Sequence, residues 1–127
     1  MKLSIFTTIT NPIERQDAYM EAIESYLAIA DEVVVVDGGS IDGSYENIAL
    51  SSAEIKNYIW PKEWEWEQLP RSLNVGLKAC TGDWVIKADI DYIFHEKDRG
   101  ELRRQLESLG DFPVANFYKW QFLLVDR

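Results

Sequence analysis

Glu32-Val33-Val34-Val35-Val36-Asp37-Gly38-Gly39-Ser40 is the stretch that decides the fold. Four valines in a row leave no side for water, so this strand is covered on both faces, as a central strand of a parallel sheet is. The branched side chains are stiff and fit a pleated surface better than a helix. The run stops at an acid and two glycines. Gly38 to Ser44 is a loop of glycine and capping residues, leading into a short helix from about Tyr45 to Leu50.

Upstream, Leu3 to Thr8 reads as a first strand. Asn11-Pro12-Ile13-Glu14 combines a helix cap, a proline at the first helical position and an acid in the first turn. The helix predicted from there carries Tyr19, Ile23, Tyr26, Leu27 and Ala30 on one inward face and ends at Asp31. Downstream, Ile55 to Trp60 predicts a third strand, closed by Pro61, and Trp64 and Trp66 sit in an acidic loop. A helix from about Pro70 to Cys80 places Leu69, Leu73 and Leu77 on one face and stops at Gly82. Trp84 to Ile86 form a fourth strand that runs out at Asp89-Ile90-Asp91. Asp98 and Glu101 have the spacing of a capping box, before a helix with Leu102, Leu106 and Leu109 inward and Gly110 at its end. The aromatic tail from Phe112 to Val125 predicts a last strand. The order β-α-β-α-β-α-β-α-β is that of an α/β fold: one domain, a mostly parallel open sheet with helices on both faces, Rossmann-like in layout.

Composition narrows the function. The chain has 127 residues, 46% hydrophobic and 28% charged, with 13 basic and 22 acidic side chains and a net charge of −9. That balance argues against binding nucleic acid or an anionic membrane surface, either of which needs a basic face. Cys80 is the single cysteine and His95 the single histidine, so an internal disulfide, a histidine-rich metal site and a Ser-His-Asp triad are all unexpected. The longest aliphatic run is Val33 to Val36, too short for a transmembrane segment, and no signal peptide is recognisable; a cytoplasmic protein is the expectation.

In open α/β sheets ligands sit beyond the carboxyl ends of the strands. Three predicted strand ends carry polar groups there: Thr8 and Thr10, Asp37 to Asp42, and Asp89 with Asp91. Alternate residues of an extended chain share a face, so Asp89 and Asp91 bring two carboxylates together, which calls for a cation or strong hydrogen-bond donors between them; taken alone, the pair also reads as a solvated acidic strand end. Hard oxygen ligands suit Mn²⁺ or Mg²⁺, completed by substrate phosphates. No Walker sequence or Gly-x-Gly-x-x-Gly is present to explain the glycines otherwise.

Val33 to Ser44, then Leu73-Asn74-Val75-Gly76-Leu77 with Thr81-Gly82-Asp83-Trp84-Val85, then Asp89-Ile90-Asp91 together resemble a family 2 glycosyltransferase of the GT-A fold. The resemblance implies transfer of a sugar from a nucleotide-diphosphate donor to an acceptor, with inversion and with Mn²⁺ or Mg²⁺ as cofactor. It implies that Thr8 and Thr10 line the base, that Asp37 recognises base or ribose, and that Arg71 meets base or phosphate. It implies further that Asp89 lies near the ribose and that Asp91, with Asp89, holds the metal. Asn74 and Gly76 fit the pattern as structural residues, and Asp42 as the cap of the short helix.

Two departures stand out. Tyr92 occupies a position where the family commonly has another acid, and the chain runs only to Arg127, where family members usually continue into an acceptor-binding half with the general base. The expectation is a single nucleotide-sugar-binding domain over residues 1–127 lacking that half, with an unidentified base; Asp111 and Asp126 are the late acids to consider. The acceptor, whether saccharide, lipid or protein, is open. Alternatives are a nucleotide-sugar-binding domain without turnover, an Asp-x-Asp phosphatase and a nucleotidyltransferase. Against the phosphatase, its motif opens the fold rather than coming late; against the nucleotidyltransferase, no glycine-and-basic loop follows the first strand.

Overall fold

The computed structural model describes residues 1–60, 63 and 65–119. Its elements are β1 (Leu3–Ile9), α1 (Tyr19–Leu27), β2 (Glu32–Asp37), α2 (Ser44–Ala49), β3 (Glu54–Asn57), α3 (Gln68–Ala79), β4 (Trp84–Lys87), a 3-10 turn (Glu96–Asp98) and α4 (Arg99–Leu109). The four strands form one sheet in the order β3-β2-β1-β4, every pairing parallel. β1 and β2 are the interior pair. All four valines of β2 are buried, as their lack of alternation requires.

The residues of β1 alternate between two differently covered faces. Leu3, Ile5 and Ile9, with Val33 and Val35 of β2, join one core with Ala22, Ile23 and Tyr26 of α1, Ile48 of α2, and Leu102 and Leu106 of α4. Phe6 points to the opposite face, where α3 lies close enough that a Cβ on Gly76 would come 2.4 Å from the ring. The chain therefore runs outward from β1 to β3 with helices on one face, then crosses back over the other face through α3 to reach β4. The reversal falls between β1 and β4. In open α/β sheets such a switch point leaves a crevice at the carboxyl ends, because the two flanking loops depart to opposite faces.

Several expectations are corrected. The first helix begins at Tyr19, not Pro12, and ends at Leu27, not Asp31. Asn11 has a left-handed φ of 48°, and its side-chain carbonyl accepts from the Ile41 amide 2.8 Å away, so a tertiary partner takes the group that would have capped a helix. Asp31 accepts instead from the Leu3 amide at 2.8 Å. The third strand spans Glu54–Asn57, ending three residues before Trp60.

On α3 the buried face is Gln68, Ser72 and Gly76, while Leu69 and Leu77 are exposed. The leucine stripe is one position out of phase with the packed face, because small residues let the helix approach the sheet. Asp98 does not cap α4 with its side chain, and Glu101 pairs with Arg104 at 2.6 Å. Residues 112–119 form no strand. The remainder of that predicted strand, with Pro61, Trp64 and Asp126, lies outside the described residues.

Candidate active site

At the carboxyl end of β1 and β2, two loops interlock. The Gly38 amide donates to the Ile9 carbonyl (2.9 Å), and the Thr10 hydroxyl donates to that same carbonyl (2.7 Å). A Cβ on Gly38 would stand 2.3 Å from the Thr10 hydroxyl, so only glycine lets these two loops touch. Asp42 is the clamp. One carboxylate oxygen accepts from the Ile13 and Glu14 amides at 2.8 and 3.1 Å, the other from the Ser44 amide and hydroxyl at 3.1 and 2.6 Å. Burial raises its pKa, but these donors, the Ser44 hydroxyl foremost, outweigh burial and hold the carboxyl below its usual range. It is not the cap of the short helix, a position that Gly43 takes without a side-chain bond; it ties the two loops together instead.

Asp37 is buried at 4% exposure, and its carboxylate faces its own loop. It accepts from the Gly39 amide at 3.2 Å and from the Ser40 hydroxyl at 2.5 Å, with the Ser40 amide at 3.1 Å. Its chemistry here is to shape the turn. Thr8 is half-buried on the face that α3 covers, beside Val36 in the sheet register.

The other half of the crevice follows β4. The Ala88 amide donates to the Phe6 carbonyl (3.0 Å), which extends the β1 pairing to the edge of the Asp-x-Asp. Tyr26 reaches up from α1, and its hydroxyl donates to the Asp89 carbonyl at 2.6 Å. Burial first, then the nearby Asp91 and Asp89 charges, push the Tyr26 pKa well above its ordinary value, so it remains a donor. Phe94 packs edge-on against the same ring at 5.7 Å, and the Phe94 amide donates to the Ser25 hydroxyl at 3.2 Å. Two neighbouring residues of α1 therefore pin both ends of residues 89–94. Tyr26 is core, as its spacing predicts, and it is also a tether that the spacing did not show.

Asp89 is half-buried and ion-paired with Lys87, while Asp91 is exposed. Burial raises the Asp89 pKa, but Lys87 and the Tyr92 hydroxyl favour its charged form more strongly and bring it below the usual value. The Tyr92 hydroxyl in turn accepts from Lys119 at 2.6 Å. Neither Lys87 nor Lys119 was singled out from the sequence, although Lys87 two residues before Asp89 in an extended run was the available signal.

Among the described residues no three acid, histidine or cysteine side chains converge on one point. Asp89 and Asp91 offer two hard oxygen donors of the kind Mg²⁺ takes when phosphate and water complete its shell. Neighbouring strands lie about 4.8 Å apart, so the ends of β2 and β4 are separated by about 10 Å across β1. Arg71 is exposed, one turn into α3. Asp111 lines a groove with Met1, Asp83 and Trp84 at the amino end of β4, the wrong end of the sheet for a base.

The profile of glycosyl transferase family 2 matches residues 8–122. The chain belongs to this family. Among solved structures, Staphylococcus aureus TarS residues 1–349 superpose with a TM-score of 0.65 at 21% identity, covering 85% of this chain and 33% of that one. TarS has also been solved with UDP-GlcNAc, with a TM-score of 0.60 at 22% identity over 85% of this chain and 32% of that one. Glucosyl-3-phosphoglycerate synthase of Mycobacterium tuberculosis, solved with Mn²⁺, UDP and phosphoglyceric acid, gives 0.51 at 26% identity over 72% of this chain and 34% of that one. The family 2 chain thus spans about a third of the length of the structures it matches. No curated protein matches it. The shared fold is the GT-A fold, an α/β sheet with helices. Among the described residues no helix is long and apolar enough to cross a membrane.

Proposed function

We propose that this chain is the donor-binding part of an inverting glycosyltransferase that takes a sugar from a nucleoside-diphosphate donor to an acceptor hydroxyl. The observation that carries the reading is the placement of Asp89 and Asp91 at the switch point of the sheet, about two strand spacings from the Asp37 loop. That spacing suits a nucleoside lying across the end of β1, with its base toward Thr10 and the glycine loop and its diphosphate toward Asp91. Thr8 and Arg71 are assigned to the donor on family resemblance alone. Asp37 would act through the backbone of Gly39 and Ser40, whose amides it orients.

A divalent cation held by Asp91 and Asp89 would offset charge on the departing diphosphate. The chain's own residues do the rest. Tyr26 fixes the backbone under Asp89, and Lys87 holds the Asp89 carboxylate ionised. Transfer is a single displacement: the acceptor oxygen bonds to the anomeric carbon as the bond from that carbon to the diphosphate oxygen breaks, and a base takes the hydroxyl proton. With Asp111 at the amino end of β4, the proposal places that base outside the described residues.

Titration calorimetry with UDP, GDP and their sugars tests the reading. Binding of at least one, strengthened by Mn²⁺ in the parent and no longer in Asp91→Asn, is the expected outcome. No binding of any of them, with or without Mn²⁺, would end it.

A further inference from the structure

We infer that Lys119 is a donor-binding residue, an ammonium that the segment after α4 carries to the diphosphate end of the site. The inference rests on the donor-site reading above. It begins from the path of residues 112–119. Phe112 and Pro113 line the groove with Met1, Asp83 and Trp84, at the amino end of β4. Ala115 packs against the main core. Lys119 then meets Tyr92, which lies beyond the carboxyl end of β4. The segment therefore runs the length of the outer edge strand, in the direction of β4, and delivers its lysine to the Asp-x-Asp.

At that end the ammonium has a defined seat. Its Nζ is 2.6 Å from the Tyr92 hydroxyl and 4.3 Å from the ring centroid. The seat combines a hydrogen bond with the attraction of a cation for a ring face. Tyr92 is itself fixed, its amide donating to the Asp89 carbonyl at 2.9 Å.

Charge explains what the lysine is for. Asp89 and Asp91 present two negative charges to an incoming diphosphate, and the chain as a whole carries −9. A metal between carboxylates and phosphate relieves part of that repulsion. Lys87 is already paired with Asp89. Lys119 is exposed, and it donates its hydrogen bond to the neutral Tyr92 hydroxyl. Exchanging that hydroxyl for a phosphate oxygen sets an anion opposite the ammonium, so that opposite charges pair where the resting bond joins a cation to a neutral group. A long flexible stem makes the move with little rearrangement of the backbone.

Calorimetry with UMP and UDP, each in Mn²⁺ and in EDTA, tests this on the parent chain, Lys119→Met, Lys119→Arg and Tyr92→Phe, with GMP and GDP replacing them should the parent bind only the guanine pair, and with thermal melts to confirm folding. Lys119→Met is expected to weaken UDP about tenfold or more in both media, the scale of one lost charge-assisted hydrogen bond. UMP should lose less than about threefold on the same scale, and Lys119→Arg should keep most of the UDP affinity. Tyr92→Phe, which removes the resting hydroxyl and a hydrogen bond to Asp89 but not the ammonium, should cost less UDP affinity than Lys119→Met. Unchanged UDP affinity in Lys119→Met overturns the inference while leaving the donor site standing. Equal loss of UMP and UDP also overturns it, since that is the mark of a packing defect. A parent chain that binds neither UMP and UDP nor GMP and GDP removes the donor site itself, and Lys119's role with it.

Discussion

Gly76→Ala sets two known effects against each other in the middle of α3. Alanine in a helix interior is better than glycine by about 1 kcal/mol, so propensity alone predicts a more stable protein. The Cβ, however, would lie 2.4 Å from Phe6 Cδ2 and 3.0 Å from both Cε2 and Cγ. Carbon atoms in good contact are about 3.5–4.0 Å apart, so three contacts are violated at once. Phe6 is 4% exposed on an interior strand, and its flat ring has no soft end to give way. Overpacking of this kind costs about 1–3 kcal/mol, and the top of that range applies where the neighbour is rigid. The net expectation is a loss of about 1–2 kcal/mol after the propensity gain. Unfolding entropy of about 2.1 cal/mol/K per residue, over 127 residues, makes each kcal/mol worth about 4 °C, so the melting temperature should fall by about 4–8 °C. Circular dichroism melts of the parent, Gly76→Ala and Gly76→Ala with Phe6→Leu measure it. The double variant should recover part of the loss, because leucine is smaller than the ring it replaces. A Gly76→Ala melt at or above the parent's would show that α3 does not sit this close to β1.

Further outcomes follow from the site. Asp42→Ala leaves four donors without their carboxylate and should lower stability by about 1–3 kcal/mol while loosening both loops, read as a lower melt and weaker nucleoside binding. The pH dependence has a definite sign: Asp42 has a folded pKa below its unfolded one, so its contribution is complete above about pH 4 and lost as pH falls through the depressed value. Melts in acid should therefore fall more steeply for the parent than for Asp42→Asn. Tyr26→Phe removes the bond to the Asp89 carbonyl but keeps the ring against Phe94, which should cost about 1 kcal/mol and weaken Mn²⁺-dependent UDP binding in calorimetry. A radiolabelled-donor assay should find donor hydrolysis but little transfer by these 127 residues; transfer at the rate of a longer version, if one exists, would show that the base lies within them.

The parts of the fold that were legible in the sequence are those where one physical signal acts alone. Four valines can only be a covered strand, and they are. Leu102 and Leu106 point inward as their spacing predicts. The misreadings come where two signals compete. On α3 the leucines mark the more hydrophobic face, but contact with Phe6 requires a shallow one, and Gly76 supplies it. At Asn11-Pro12 the local capping signal lost to a partner 30 residues away, which no local pattern contains. The carboxylates at strand ends were visible as candidates, and the structure sorts them: Asp37 and Asp42 face inward to their loops, while Asp91 faces solvent. Lys119 was invisible because it enters the crevice from a segment that sequence patterning assigned to a strand.

The sheet order also sets a timetable for synthesis. β1 is made first, yet it needs both β2 and β4 as neighbours, and the Lys2 backbone waits for Asp83, 81 positions later. At about 5–20 residues per second, a ribosome takes about 4–16 s to cover that interval. Throughout it, one side of β1 has unpaired amides and carbonyls, and α3 arrives before the strand that completes the surface beneath it. The nascent chain is most exposed to wrong strand partners in this window. Slower elongation between the codons for Asn57 and Trp84 would lengthen it, and soluble yield would register the change.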